Sequence, residues 1–397
     1  MSRLGNEPET ANREPHVLAS RPIVLVLFAS FFTMVGFYLL LSVVPLYTEE
    51  TGGGNVGAGS ATGVFMFSTV LAQVGMPWML ARFGYRTVLT AGLLLLGLPA
   101  FLYIRLGELS ATLAVTSARG AGFGAAIVAL AALVTEFAPS GRRGEALGLY
   151  GVALTLPTVF CGALGLWIVE RSGYALVFLI GASAPLLACF AALGISSPKR
   201  HEERERVGLL TLFERPALVR IFLLFTCCTA TSGVVVTFLP LSAPGPGLFS
   251  AATALLFLGV SATFFRWWAG RFGDRQDPRV LLAPGLLCAA LGMVALSLEG
   301  LALLGGALVF GAGFGMLQNT TLLLTMERVP KAEYGLGSTL WNVAFDVGTG
   351  TGAFVFGFVV GVAGFSLAFY LCAVVLAAAL GLIPRAAEKR NPEMPSS

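Results

Sequence analysis

Long apolar runs separated by short polar ones set the pattern of this chain. Runs of about 20 predominantly apolar residues fall near 22–46, 59–80, 86–105, 110–135, 146–169, 174–196, 218–243, 248–269, 279–298, 301–326, 336–361 and 364–384. A helix of that length crosses the roughly 30 Å hydrocarbon core of a bilayer. The runs lack the apolar/polar alternation of a membrane β-barrel, and in hydrocarbon a helix satisfies its own backbone groups. The pattern predicts an all-α polytopic membrane protein with twelve transmembrane helices.

The runs also repeat. Gly-Ala-Gly-Phe-Gly occurs at Gly120–Gly124 and again at Gly311–Gly315, an offset of 191, and Glu136 with Pro139 recurs as Glu327 with Pro330 at the same spacing. Arg82-Phe83-Gly84 recurs as Arg271-Phe272-Gly273, an offset of 189 that one loop can absorb. Tandem duplication within apolar sequence points to a transporter made of two equivalent halves. The expected organisation is a cytoplasmic tail over 1–21, a six-helix half over 22–196, a polar linker over 197–217, a second six-helix half over 218–385 and a tail over 386–397. Within helices the clustered glycines mark close helix contact; a nucleotide loop would need a strand before it.

Composition narrows the chemistry. Hydrophobic residues make up 56% of the chain and charged ones 12%, and the mean hydropathy is +0.83, whereas soluble domains average about 25% charged. With the amino terminus inside, 21 of the 25 Lys and Arg residues fall in cytoplasmic positions, so the positive-inside rule expects both termini in the cytoplasm and a multi-pass protein of the inner (plasma) membrane. The net charge of +4 then reflects topology and implies no nucleic-acid partner. The only histidines, His16 and His201, lie in the tail and the linker, no metal-binding or phosphate-loop motif is present, and the six cysteines fall in predicted helices as free thiols. No enzyme activity, cofactor or metal is expected. A monomer in the lipid bilayer, moving a small molecule and exchanging protons, is.

Together the loop motif at Arg82-Phe83-Gly84-Tyr85-Arg86, its copy at Gly270-Arg271-Phe272-Gly273-Asp274-Arg275, Arg119 ahead of a glycine-rich fourth helix and the six-plus-six layout resemble the major facilitator superfamily. Arg142-Arg143-Gly144-Glu145 through Gly151 and Trp341-Asn342 through Gly348 are similar to its bacterial arabinose-efflux or drug:proton antiporter branch. The resemblance implies alternating access and a cytoplasmic loop that latches the halves, with Arg82, Gly84, Arg86, Arg271, Gly273, Asp274 and Arg275 as its residues. Two departures stand out: the acidic residue of the latch is replaced by Ala81 and Gly270, and the Gly-Pro pair of the fifth helix by Cys161-Gly162, with proline at Pro157. The arginines fit the ends of their helices, where carbonyls and the helix dipole favour cations, and the glycines suit the tight turn.

Charges inside a membrane are costly and mark function by default. Arg119 is expected roughly 10 Å deep and Asp346 near the bilayer centre. The resemblance makes Arg119 a candidate for proton coupling or substrate binding, set against a purely packing role. Asp346 is read as a proton-binding carboxylate or as a structural partner of Arg266 or Asn342. Arg266, near the inner helix end, is read as structural or gating, with its head snorkelling to the interface. Thr33, Tyr38, Thr229, Ser232, Gln318, Asn319 and Asn342 are the candidate cavity-lining polar groups. The expected function is proton-coupled export of a small amphiphilic molecule; the alternatives are import by uniport or symport, and a receptor or scaffold that moves nothing.

Overall fold

The apolar runs fold as helices in this computed structural model, which describes residues 20–138, 143–195, 209–330 and 333–384. The remaining parts of the expected tails, linker and 139–142 loop lie outside these residues. In chain order the helices are α1 (Arg21–Leu41), α2 (Val43–Thr48), α3 (Gly54–Phe83), α4 (Tyr85–Gly97), α5 (Leu109–Phe137), α6 (Arg143–Ser172), α7 (Tyr174–Leu193), α8 (Pro216–Ser242), α9 (Ala251–Gly273), α10 (Leu282–Leu296), α11 (Leu301–Met326) and α12 (Tyr334–Ala378). Short 3-10 turns extend several of them.

Among the described residues ten helical stretches are long and apolar enough to cross a membrane. The first, Arg21–Phe83, runs 63 residues and the last, Tyr334–Leu382, runs 49, each far longer than the roughly 20 residues one crossing needs. Both break at glycines with left-handed backbone: Gly52 (φ 95°) and Gly54 (φ 59°) in the first, Gly364 (φ 79°) in the second. A residue with a Cβ would be strained there. The helix kinks at those points, and each long stretch holds two helical arms.

Internal duplication shows in the packing. A Cβ on Gly120 would strike the Phe65 backbone of α3, one on Gly122 would lie 2.6 Å from the Gly92 carbonyl of α4, and one on Gly124 would lie 2.5 Å from the Thr69 carbonyl of α3. In the second copy Gly311, Gly313 and Gly315 press in the same alternation on Leu258 of α9, Gly285 and Ala289 of α10, and Ala262 of α9. The partners Phe65 and Leu258, Thr69 and Ala262, and Gly92 and Gly285 are all separated by 193 residues. The alternating glycines therefore let α5 and α11 each approach two neighbours at backbone distance, where dispersion replaces the hydrophobic drive that lipid cannot supply.

The halves meet along two seams, α3 against α12 and α6 against α9. Away from the loops that carry Arg82 and Arg271 the seams are tight. A Cβ on Gly63 would lie 2.9 Å from the Phe354 Cβ, and one on Gly259 2.8 Å from the Val159 carbonyl; Thr62 and Thr237 share a hydrogen bond of 2.8 Å across the halves. Toward the arginine-bearing end α6 and α9 diverge. Gly148 and Gly151 on α6 meet nothing within 4 Å. Gly165 of α6 faces Leu39 of α1, and the close approach of α6 and α9 comes from Gly259 on α9.

Candidate functional site

Divergence of α6 and α9 leaves a cavity of about 670 Å³ between the halves. Its walls come from Tyr38 and Ser42 on the first arm, Gly151, Thr155 and Thr158 on α6, Ser232 on α8, Leu258, Thr263, Arg266 and Trp267 on α9, Phe314, Gln318 and Asn319 on α11, and Phe345 and Thr349 on α12. The volume suits a drug-sized ligand. Small and apolar residues at helical spacing on α6 and α9 open the space, and polar groups enter it singly.

Of the seven expected lining groups, Tyr38, Ser232, Gln318 and Asn319 line the cavity, and Thr33, Thr229 and Asn342 do not. Thr33 and Thr229 are fully buried. The Thr33 hydroxyl donates to the Ala29 carbonyl at 2.6 Å, and that of Thr229 lies 3.1 Å from the Ala344 carbonyl, tying α8 to α12. Both satisfy their hydroxyls on helix backbone, a use of threonine that apolar context alone does not reveal. Asn342 is exposed, and its amide donates back to the Ser338 carbonyl at 2.9 Å.

The two charges expected to act are both set apart from the cavity. Arg119 is 2% exposed. Its guanidinium donates to the Leu96 carbonyl (3.2 Å), the Gly36 carbonyl (3.3 Å) and the Tyr103 hydroxyl (3.5 Å), with the Phe65 and Tyr103 rings each 5.6 Å away. Three acceptors from three segments make Arg119 a bolt joining α1, α4 and α5. A void of about 20 Å³ adjoins it.

Asp346 is 6% exposed and lies in the other seam. Its carboxylate accepts from Gln73 Nε2 of α3 at 2.9 Å, so the bond spans the halves. Neither Arg266 nor Asn342 is its partner. Gln73 itself is 7% exposed, and its Oε1 is buried with no donor. Sequence reasoning passed over Gln73, although an amide inside the apolar run 59–80 was a legible signal.

Arg266, read from sequence as structural or gating, lines the cavity. Its guanidinium carbon stands 6.0 Å from the centroid of the Trp341 ring. Past it α9 continues to Gly273, with Trp267 and Trp268 next to it in the chain.

Comparison with known proteins matches this arrangement. The family model described as Major Facilitator Superfamily matches residues 26–353. The chain belongs to the major facilitator superfamily. It is 20% identical over 371 residues to an uncharacterized MFS-type transporter of Methanocaldococcus jannaschii, covering 89% of this chain and 94% of that protein. Among solved structures it resembles a bacterial homolog of the human lysosomal transporter Spinster in an inward-facing, occupied conformation, with TM-score 0.78 at 14% identity over 96% of this chain and 100% of that one. The inward-open xylose transporter XylE from E. coli gives TM-score 0.75 at 14% identity, covering 94% and 98%. The nucleoside transporter NupG gives 0.74 at 12%, covering 91% and 99%.

The facilitator loop motif is unequal in its two copies. Gly84 has φ 78°, the left-handed turn expected of it. Gly273 does not, and ends α9 in ordinary helical backbone. Its smallness serves packing instead, since a Cβ there would lie 2.7 Å from Leu323 of α11. Arg82, Arg86, Arg271, Asp274 and Arg275 are exposed. Arg82 lies over the Trp78 ring at 5.9 Å and Arg271 over the Trp267 ring at 4.8 Å. Asp274 makes no ion pair among the described residues; the organised carboxylate of this loop is Asp277, which binds Arg279 at 2.6 Å and accepts from its backbone N–H at 2.9 Å.

Proposed function

We propose that this facilitator is a proton-coupled exporter of small amphiphilic molecules that works by alternating access. The observation that carries the proposal is a cavity of about 670 Å³ lined from both halves, sealed on one side by the Gly63 and Gly259 contacts and widening toward the arginine-bearing end. With the arginine-rich loops in the cytoplasm, the cavity receives its ligand from inside the cell. Rocking one half over the other would part the seams at the sealed end and close α6 on α9 at the open one. The likeness to the arabinose-efflux and drug:proton antiporter branch supports export, and the mixed lining, with isolated hydroxyls and amides among apolar side chains, supports an amphiphile over a sugar.

Asp346 supports proton coupling. It is a buried carboxylate in a seam that must break and reform during the cycle, held by a neutral amide from the opposite half. An ionised Asp346 can only accept from Gln73; a protonated one can accept from Nε2 and donate to the orphaned Oε1. Protonation therefore changes how firmly α3 and α12 are joined. Proteoliposomes loaded with fluorescent amphiphiles and a pH dye test the reading: an imposed pH gradient should drive amphiphile and protons in opposite directions. Movement indifferent to the gradient would remove antiport in favour of uniport, and co-directional movement would favour symport.

A further inference from the structure

Arg266 is the only formally charged group among the described residues that line the cavity, and no acidic side chain faces it there. It makes no ion pair and no hydrogen bond among the described residues; the face of Trp341 lies at 6.0 Å, and Tyr38 is within electrostatic reach. A guanidinium held at membrane depth beside aromatic side chains, with no hydrogen bond to an oxygen among the described residues, lacks the acceptors that such a group requires. Arg119 shows how this chain treats a structural arginine: its guanidinium has three oxygen acceptors. Arg266 has none, and it projects into a space large enough for a ligand. On the facing helix α11, Asn319 also lines the cavity, and its Oδ1 is a buried acceptor without a donor. Leu255, Leu258, Phe314 and Phe345 supply apolar walls to the same cavity.

These unmet needs define a ligand. The guanidinium requires an anion, preferably one with two oxygens for its planar fork; Asn319 requires an N–H or O–H; the walls require an apolar body. We propose that the cavity binds an amphipathic organic anion, a carboxylate, sulfonate or phosphate ester on an apolar frame, anchored by Arg266 and accepted at a polar hydrogen by Asn319. The assignment rests on the reading of the cavity as a transport site, and it narrows the amphiphile of that reading to one sign of charge. No proton or covalent step is involved in binding.

Three probes that share one body test the assignment: dansylglycine, its uncharged amide and dansyl-ethylenediamine, which carries an ammonium. Binding to the full chain in phosphatidylcholine nanodiscs is followed by dansyl fluorescence. Dansylglycine should bind at least tenfold more tightly than the amide or the amine. Arg266→Gln should reduce that preference to within about twofold, and Arg266→Lys should keep part of it. Equal binding of the three probes, tighter binding of the amine, or a preference that survives in Arg266→Gln would overturn the assignment. Should Arg266→Gln fail to fold, Gly151→Cys leaves the arginine intact, since a Cβ there meets open space. Dansylglycine should slow maleimide labelling at that position at least fivefold and the amide should not; equal protection by both would overturn the assignment. Counterflow in proteoliposomes separates this idea from the transport reading. Selective binding of the anion without counterflow would uphold the anion site and remove transport, whereas counterflow of amide or amine in preference to the anion would overturn the site and leave transport standing.

Discussion

Replacing Asp346 separates a proton carrier from a packing group at one atom pair. In the native structure Gln73 has one amide hydrogen bond, Nε2 to the carboxylate at 2.9 Å, and one stranded acceptor, Oε1. Asp346→Asn retains an oxygen for Nε2 and adds an N–H that can reach Oε1. The variant gains a neutral hydrogen bond, about 0.5–1.5 kcal/mol, and loses a buried charge, a change that is often neutral or stabilising. Asp346→Ala removes the acceptor and strands Nε2 beside the already stranded Oε1, a cost of about 1–3 kcal/mol. The two variants should thus differ by roughly 1.5–4.5 kcal/mol in the seam. Melting of the purified proteins should rank Asn at or above native, with Ala clearly below. In transport, Asn fixes the protonated hydrogen-bond pattern and cannot release a proton. Uphill movement driven by a pH gradient should therefore disappear while substrate exchange persists. A stable Asn variant with undiminished pH-driven accumulation would refute the reasoning, and an Asn variant that melts far below the native protein would show that the carboxylate holds a partner other than Gln73.

Other sites give separable outcomes. Arg119→Lys and Arg119→Ala should both lower the melting temperature substantially, because neither can serve the Leu96 and Gly36 carbonyls together, each lost bond to a charged donor being worth about 1.5–3 kcal/mol; a native melting point in Arg119→Ala, measured by dye-based thermal shift, would sink the structural assignment. Gly233→Ala should destabilise by about 1–3 kcal/mol or more through overpacking, since its Cβ would collide with the Thr349 backbone, while Gly148→Ala, in open space, should melt as native. A disulfide between Thr62→Cys and Thr237→Cys, whose hydroxyls lie 2.8 Å apart across the halves, should form on mild oxidation and arrest transport until reduced; free transport by the oxidised, fully cross-linked protein would argue against parting of that end.

Much of the architecture was legible because membrane physics leaves few options. Length and apolarity fixed the helical runs, and the Gly120 and Gly311 pentapeptides marked the packing ridges before any contact was known. The site was less legible. Depth along a helix can be counted from sequence, but the direction a side chain faces cannot, because these helices are apolar around most of their circumference and carry little amphipathic signal. Arg119 and Asp346 lie at useful depths and point away from the cavity. Arg266 lies near a helix end and points into it, because α9 splays from α6. Thr33 and Thr229 looked like lining groups until their hydroxyls were found bonded to backbone.

The duplication makes the two seams comparable at the level of single residues. Adding the 193-residue offset of Phe65 and Leu258 to Gln73 reaches Arg266, and subtracting the 191-residue offset of the glycine pentapeptides from Asp346 reaches Thr155. The pair that bridges α3 and α12, Gln73 with Asp346, thus has its counterpart in Arg266 and Thr155, which face the cavity across α9 and α6. In one seam a neutral amide meets a carboxylate and the halves stay joined; in the other a cation meets a hydroxyl that cannot neutralise it, and a ligand-sized space lies between. Equivalent positions of an ancestral repeat then carry the two proposed tasks, proton exchange at Asp346 and ligand capture at Arg266. Any ligand whose anionic group reaches Arg266 would supply to the open seam the opposite charge that the closed seam does not need, and closing α6 onto α9 around a neutralised guanidinium costs less than closing it around a bare one. An empty transporter should accordingly resist closing at its arginine-bearing end, and binding of the anion should ease that closure.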